Sequence, residues 1–246
     1  MKTLIKTLPG IRQMVAWQRS QREKQRCERL VAGTAAAATR FIEGPAPRRF
    51  QFGSGGHRLE GWFNTDFEPW QEGVFHLDMR EPLPFPDDVL DVAASEHVFE
   101  HFSYDEGRKI VSELFRCLKP GGLIRMSLPD LDRYIALWNE TLSEDQLAYM
   151  RAFVGIEHAG DPVTPCMTLN LAMRSFGHKF IYDRATLHNL LAKAGFVDVR
   201  FAIPADRSHL RLREFEVRAA EGNPVLDGYE TMIVEAQKPQ LAGRDG

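Results

Sequence analysis

Gly53-Ser54-Gly55-Gly56 follows the short run Phe50-Gln51-Phe52, and two acids, Asp66 and Asp78, each close one of the next two apolar-aromatic runs. Glycines at such a turn let backbone approach a ligand where a Cβ would clash. A carboxylate at each of two successive strand ends can accept hydrogen bonds from a ribose diol or an adenine amino group. Types and spacing are therefore those a nucleoside-bearing cofactor requires. A nicotinamide dinucleotide is excluded on the same residues. Its fingerprint needs a third glycine where Arg58 stands, and an acid about 20 residues on, whereas Asp66 comes much sooner.

A second cluster stands at His97-Val98-Phe99-Glu100-His101. On a helix, H-x-x-E-H puts both imidazoles on one face as zinc ligands with the glutamate as base, so a zinc-dependent hydrolase using His97, Glu100 and His101 is one reading. The cluster directly follows a strand-like run, however, and no downstream acid is marked as the third protein ligand that catalytic zinc needs. Imidazoles also serve as general bases, which makes His97, His101 and His178 candidates, with Tyr182 near the last of them.

These residues need a frame. Strand-like runs are expected at Gly61–Asp66, Val74–Asp78, Val89–Ser95, Leu123–Leu128, Phe196–Ile203 and Glu230–Gln237. Ser103 with Glu106 reads as a capping box for an amphipathic helix over Ser103–Leu118, which Lys119-Pro120-Gly121-Gly122 stops. Asp183 caps another helix, whose end Gly195 marks. Strand and helix in alternation predict an α/β fold: a Rossmann-like, seven-stranded, mostly parallel sheet with helices on both faces. Two features sit awkwardly in it. Gln51 interrupts a strand that should be buried on both faces. Only Ser54 to Gly61 separate the first two strands, so their connecting helix is a turn or two at most.

The chain has 246 residues, 43% hydrophobic and 26% charged, enough for one large domain with an appendage. Met1–Phe50 holds 11 Lys/Arg against 3 Glu, leaving 20 basic against 31 acidic residues afterwards. Residues 1–47 are read as a basic N-terminal helical arm, broken by Gly44, Pro45 and Pro47. It offers contact with a partner or lipid headgroups, while nucleic acid is not expected. Residues 48–240 form the main domain, with 131–180 as a helical insertion or lid containing Trp138, Tyr149, Phe153, Met167 and Met173. Cys27, Cys117 and Cys166 show no paired spacing, no run is long enough to span a membrane, and Pro9, Arg12 and Gln13 break any secretory signal, so a cytoplasmic protein is expected.

Five motifs in one order carry a resemblance: the glycine turn, Gly61-Trp62-Phe63-Asn64-Thr65-Asp66, Leu83-Pro84-Phe85, Glu96-His97-Val98-Phe99-Glu100-His101 and Leu118-Lys119-Pro120-Gly121-Gly122. They resemble class I S-adenosylmethionine-dependent methyltransferases of the type acting on small molecules or glycans, firmly over Phe50 to Leu128 and loosely beyond. The resemblance implies S-adenosyl-L-methionine as cofactor. By position, Gly53, Ser54 and Gly55 would face its methionine part, Asp66 and Phe67 its ribose, and Asp78 and Met79 its adenine, while Ser95 and Glu96 lie where the family contacts cofactor and admits acceptor. Ser95-Glu96-His97-Val98 stands in place of the proline-containing signature of amino methylation on bases, which favours an oxygen acceptor. Some members bind a divalent ion after this strand, here at Glu96, Glu100 and His101. Packing and capping roles for those residues are favoured instead, so no metal is expected. The competing class is a non-catalytic adaptor that keeps the fold and holds a partner through the arm.

Overall fold

The computed structural model describes residues 9–208, 210–212 and 223–240. Seven strands form one sheet: β1 (Arg49–Phe52), β2 (Trp62–Asp66), β3 (Val74–His76), β4 (Leu90–Glu96), β5 (Leu118–Pro129), β6 (Val197–Ala202) and β7 (Thr231–Gln237), in the order β3-β2-β1-β4-β5-β7-β6. All paired neighbours are parallel except at β7, which runs antiparallel to both β5 and β6. The α/β class, the strand count and the mostly parallel sheet agree with the sequence. Successive strands leave β1 toward β2 and β3 on one side and resume at β4 and β5 on the other. That reversal opens a crevice at the carboxyl ends of β1 and β4, where ligands bind in sheets of this kind.

The short β1–β2 crossover contains no helix. The end of its 54–61 segment is held by the buried side chain of Asn64. Asn64 Oδ1 accepts from Leu59 N–H at 2.9 Å, and Nδ2 donates to the carbonyls of Leu59 at 2.8 Å and Trp62 at 2.9 Å. One amide thus satisfies three backbone groups where the loop enters β2. Gln51 sits inside β1 at 2% exposure, and its backbone pairs with both neighbouring strands.

Helix α1 (Pro9–Glu43) stops at Gly44-Pro45, the break expected from the sequence. Its last turns are built into the core. Ala37 and Ala38 are buried, Thr34 Oγ1 donates to the His76 carbonyl at 2.7 Å, and the Phe41 ring lies 5.2 Å from Phe63. Phe63 and Phe85 extend this aromatic group to Phe50, the latter at 5.1 Å.

Helix α2 (Tyr104–Cys117) has the full capping box: Ser103 N–H and Glu106 N–H are satisfied reciprocally. It ends at Cys117, one residue before the expected end. The chain then enters β5 directly, and the jump from the Leu90–Leu118 pair to the Val92–Leu123 pair shows residues 119–122 looping out of register. Burial pushes the Cys117 thiol up to about 12, which makes it an inert core residue.

Beyond β5, helices α3 (Leu131–Ile135), α4 (Glu144–Glu157) and α5 (Pro165–Arg174) precede α6 (Arg184–Ala194), which has Asp183 as its cap and Gly195 in the left-handed conformation. A further helix, α7 (Pro224–Glu230), leads into β7. Tyr134, Tyr149, Phe153 and Leu171 form a second core with Leu226 and Tyr229 of α7. Tyr149 and Phe153 are therefore packing residues, Met167 is partly buried, and Trp138 and Met173 are exposed. No helix among the described residues is long and apolar enough to cross a membrane.

Arg125 of β5 and Glu235 of β7 face each other in register and are almost wholly buried, with 3.6 Å between Nη1 and Oε2. Desolvation lowers the Arg125 pKa to about 10 although Glu235 raises it. Glu235 also accepts from the N–H groups of Arg211 at 2.9 Å and Leu212 at 3.0 Å, so removing it takes away a buried countercharge and a backbone acceptor together. Glu235→Ala is expected to cost about 3–5 kcal/mol, and Arg125→Met with Glu235→Leu to recover only part of it. Urea unfolding followed by circular dichroism checks both.

Candidate functional site

The crevice holds a cavity of about 390 Å³ lined by Gly53, Asp66, Phe67, Leu77, Asp78, Met79, Arg80, His97, Val98, His101, Phe102 and Lys179. Its volume is in the range of small-molecule sites. Gly53 ends β1 with φ +63°, and a Cβ there would overlap Val98, whose Cγ1 would lie at 2.7 Å. Only glycine leaves room for the Val98 side chain to pack so close against this backbone. Gly55, φ +51°, has open space where its Cβ would be. Its N–H donates to Asp66 Oδ2 at 2.8 Å, while Asp66 Oδ1 accepts from Glu68 N–H at 2.9 Å. Two backbone bonds fix the carboxylate and leave each oxygen a further lone pair.

Asp78 lies two residues past the end of β3, not within it as the sequence suggested. Arg80 grips it with both prongs: Nε to Oδ1 at 2.8 Å and Nη2 to Oδ2 at 2.6 Å. Burial would raise its pKa, but these bonds hold it below the ordinary carboxylate value. The guanidinium also lies 5.4 Å above the Phe67 ring. Of the nine cofactor candidates, Gly53, Asp66, Phe67, Asp78 and Met79 come together around this cavity. Ser54, Gly55, Ser95 and Glu96 are not among its lining. Ser54 and Ser95 are buried, and Ser54 N–H donates to the Thr65 carbonyl at 2.9 Å.

At the end of β4 the chain turns sharply. His97 has φ +50°, a conformation uncommon outside glycine, and its N–H is anchored to the Ser127 carbonyl at 2.8 Å. A 3-10 turn, Phe99–His101, follows. The H-x-x-E-H segment is thus not on an α-helix, and the one-face geometry on which the zinc-hydrolase reading depended is not present. His97 and His101 instead line a second cavity as well, of about 270 Å³, with Glu100, Phe153, Ile156, Phe176, His178, Asn223, Leu226, Asp227 and Glu230.

The polar wall of this second cavity is ordered. His97 Nε2 is 2.9 Å from Thr231 Oγ1, and its Nδ1 is 3.5 Å from Glu100 Oε1. Glu100 is buried; burial opposes its charge, yet His97 foremost, with His101, keeps its pKa below the usual value. His178 Nδ1 lies 2.7 Å from the Ala172 carbonyl. Glu230 Oε2 accepts from Tyr134 at 2.8 Å and Tyr149 at 2.6 Å. Burial pushes both phenols far above their ordinary pKa, with Glu230 adding to it at Tyr134 and first Tyr134, then Glu230, at Tyr149, so they remain donors. All three catalytic candidates, His97, His101 and His178, meet here.

Sequence reasoning missed Arg80, Lys179, Asp227, Glu230 and Thr231. An Asp-x-Arg pair after a strand was the one readable signal, for Arg80. The others reach the site only because α7 and the 175–180 segment fold over the sheet edge.

Residues 64–126 match the family model described as a methyltransferase domain. No curated protein sequence matches the chain. Among solved structures, the chain is similar to Haemonchus contortus phosphoethanolamine N-methyltransferase 2 in complex with S-adenosyl-L-methionine, at 16% identity over 85% of this chain and 53% of that one, TM-score 0.42. It thus spans about half the length of that enzyme. It is also similar to a SAM-dependent methyltransferase from Archaeoglobus fulgidus, at 20% identity over 85% and 94% of the two chains, TM-score 0.47. The residues matched by the methyltransferase-domain model run from β2 into β5 and take in Asp66, Asp78 and the histidine turn.

Tyr149→Phe removes a buried bond to a carboxylate at little change in shape. It should lower stability by about 1.5–3 kcal/mol, read from thermal or urea unfolding.

Proposed function

We propose that the chain methylates a hydroxyl of a small polar molecule or glycan, with the cofactor in the larger cavity and the acceptor in the smaller. The observation that supports this is shared walls: His97 and His101 border both cavities, so donor methyl and acceptor oxygen would meet beside imidazoles. Gly53 would border the methionine part of the cofactor, with Ser54 and Gly55 shaping the turn behind it. Asp66 would take the ribose hydroxyls on the lone pairs left by its backbone bonds, next to Phe67. Asp78 and Met79 would take the adenine, Asp78 exchanging Arg80 for the amino group. Ser95 and Glu96 would support the turn from β4.

Methyl transfer breaks the carbon–sulfur bond of the donor as the carbon–oxygen bond forms, and the acceptor hydroxyl gives up its proton. Alignment of oxygen, methyl and sulfur is worth about 7–11 kcal/mol in favourable cases. For the proton, His97 is the base. With Nδ1 toward Glu100, Nε2 accepts from the Thr231 hydroxyl at 2.9 Å, and an acceptor hydroxyl would take that place to give up its proton. His101 and His178 line the acceptor side. Asn223, Asp227 and Glu230 add the polar lining that an acceptor with several hydroxyls would need.

Incubation of the purified chain with S-adenosylmethionine and a panel of sugars, phenols and amines, read by mass spectrometry, tests the reading. Gain of one methyl group on a hydroxyl compound is expected, and products on amines alone overturn it. Asp66→Ala should weaken S-adenosylhomocysteine binding about ten-fold or more in calorimetry, the loss of one charge-assisted pair. His97→Ala should lower kcat by about 10²–10⁴-fold and leave that affinity unchanged.

A further inference from the structure

We propose that Glu100, His101 and His178 bind a divalent transition-metal ion on the wall of the smaller cavity, an inference that rests on reading that cavity as the acceptor side. The three residues each offer a ligand atom, all within 4.8 Å of one another. They come from separate elements, the 3-10 turn after β4 and the segment between α5 and α6. The fold, not local sequence, brings them together.

Glu100 supplies the independent observation. It is 1% exposed, and neither of its oxygens has a hydrogen bond of good geometry. Its closest cationic partner is His97 Nδ1 at 3.5 Å, on Oε1. A buried carboxylate is costly unless a cation or several donors meet it, so this side chain is a ligand without its counterpart. His178 is preset in the complementary way. The Ala172 carbonyl can only accept, so Nδ1 carries the hydrogen and the neutral ring keeps its lone pair on Nε2. A backbone carbonyl on the distal nitrogen is what commonly orients metal-binding imidazoles. His101 and His178 lie edge to face with centroids 5.1 Å apart.

A second trio, His97, Asp227 and Glu230, is equally compact. Its members are already engaged, however: Glu230 Oε2 with two tyrosines, His97 Nε2 with Thr231. The first trio is the one with coordination to offer. Two imidazoles and one carboxylate suit Zn²⁺, Mn²⁺ or Fe²⁺ better than Ca²⁺ or Mg²⁺. Three protein ligands leave positions open toward the cavity, where an acceptor oxygen would bind and become more acidic. His97 would then receive the proton beside it.

The chain, stripped with EDTA and dialysed, is titrated with ZnCl₂ and separately with MnCl₂ in calorimetry. One ion per chain is expected. Glu100→Gln and His178→Ala should each weaken it by about ten-fold or more, and Glu230→Gln should leave it unchanged. S-adenosylhomocysteine binding by the same variants reports that they are folded, and His178→Gln provides a second, milder substitution. Absence of stoichiometric binding in the unaltered chain, or equal affinity in Glu100→Gln, or a loss confined to Glu230→Gln, overturns the proposal. Methyl transfer without metal binding refutes the metal site and leaves the proposed reaction standing. Metal binding without methyl transfer to any hydroxyl does the reverse.

Discussion

The close approach of Gly53 to Val98 is the constraint on which the site depends. It is where the end of β1 meets the turn after β4, at the point where the sheet reverses its winding. Because Gly53 has no Cβ, the Val98 side chain packs directly on its backbone, and Asp66 and Asp78 on one side and the His97–His101 turn on the other share one crevice. The strained φ of His97 belongs to the same constraint. A relaxed extended residue would carry the chain straight on from β4, and the imidazole would no longer stand between the two cavities.

The cap over the sheet edge follows a different logic. α3, α4, α5 and α7 have a small core of their own, and its polar edge is Glu230 held by two buried phenols. Those bonds set the position of α7 and with it Asn223 and Asp227. Packing inside the cap thereby fixes the far wall of the smaller cavity, while the near wall is fixed by the sheet. The two cavities therefore draw their walls from different cores, and the histidine turn borders both.

What the sequence reveals divides along the same line. The glycine turn, the acids after β2 and β3, and the capping box of α2 are local patterns, and each is where its spacing placed it or within two residues. Asp78 was read as the end of a strand because it closes the apolar-aromatic run from Val74, yet the strand stops at His76 and Asp78 is bonded to Arg80 two residues on. The histidine motif was legible as chemistry but not as geometry, since nothing in H-x-x-E-H distinguishes a helix from a left-handed residue followed by a 3-10 turn. Asp227, Glu230 and Thr231 were illegible. They meet residues some 130 positions earlier through a helix whose only sequence mark is Asn223-Pro224, and long-range meetings of that kind carry no periodicity.

The asparagine clasp between β1 and β2 has an electrostatic consequence. In dinucleotide-binding sheets the corresponding loop opens a helix whose amino end presents a partial positive charge to the ligand's pyrophosphate. Here Asn64 ties the loop without one, so no such macrodipole points into the crevice from that side. A phosphate would find little there to draw it in. A ligand whose own centre is cationic, as a sulfonium is, escapes the repulsion that a helix in that place would impose.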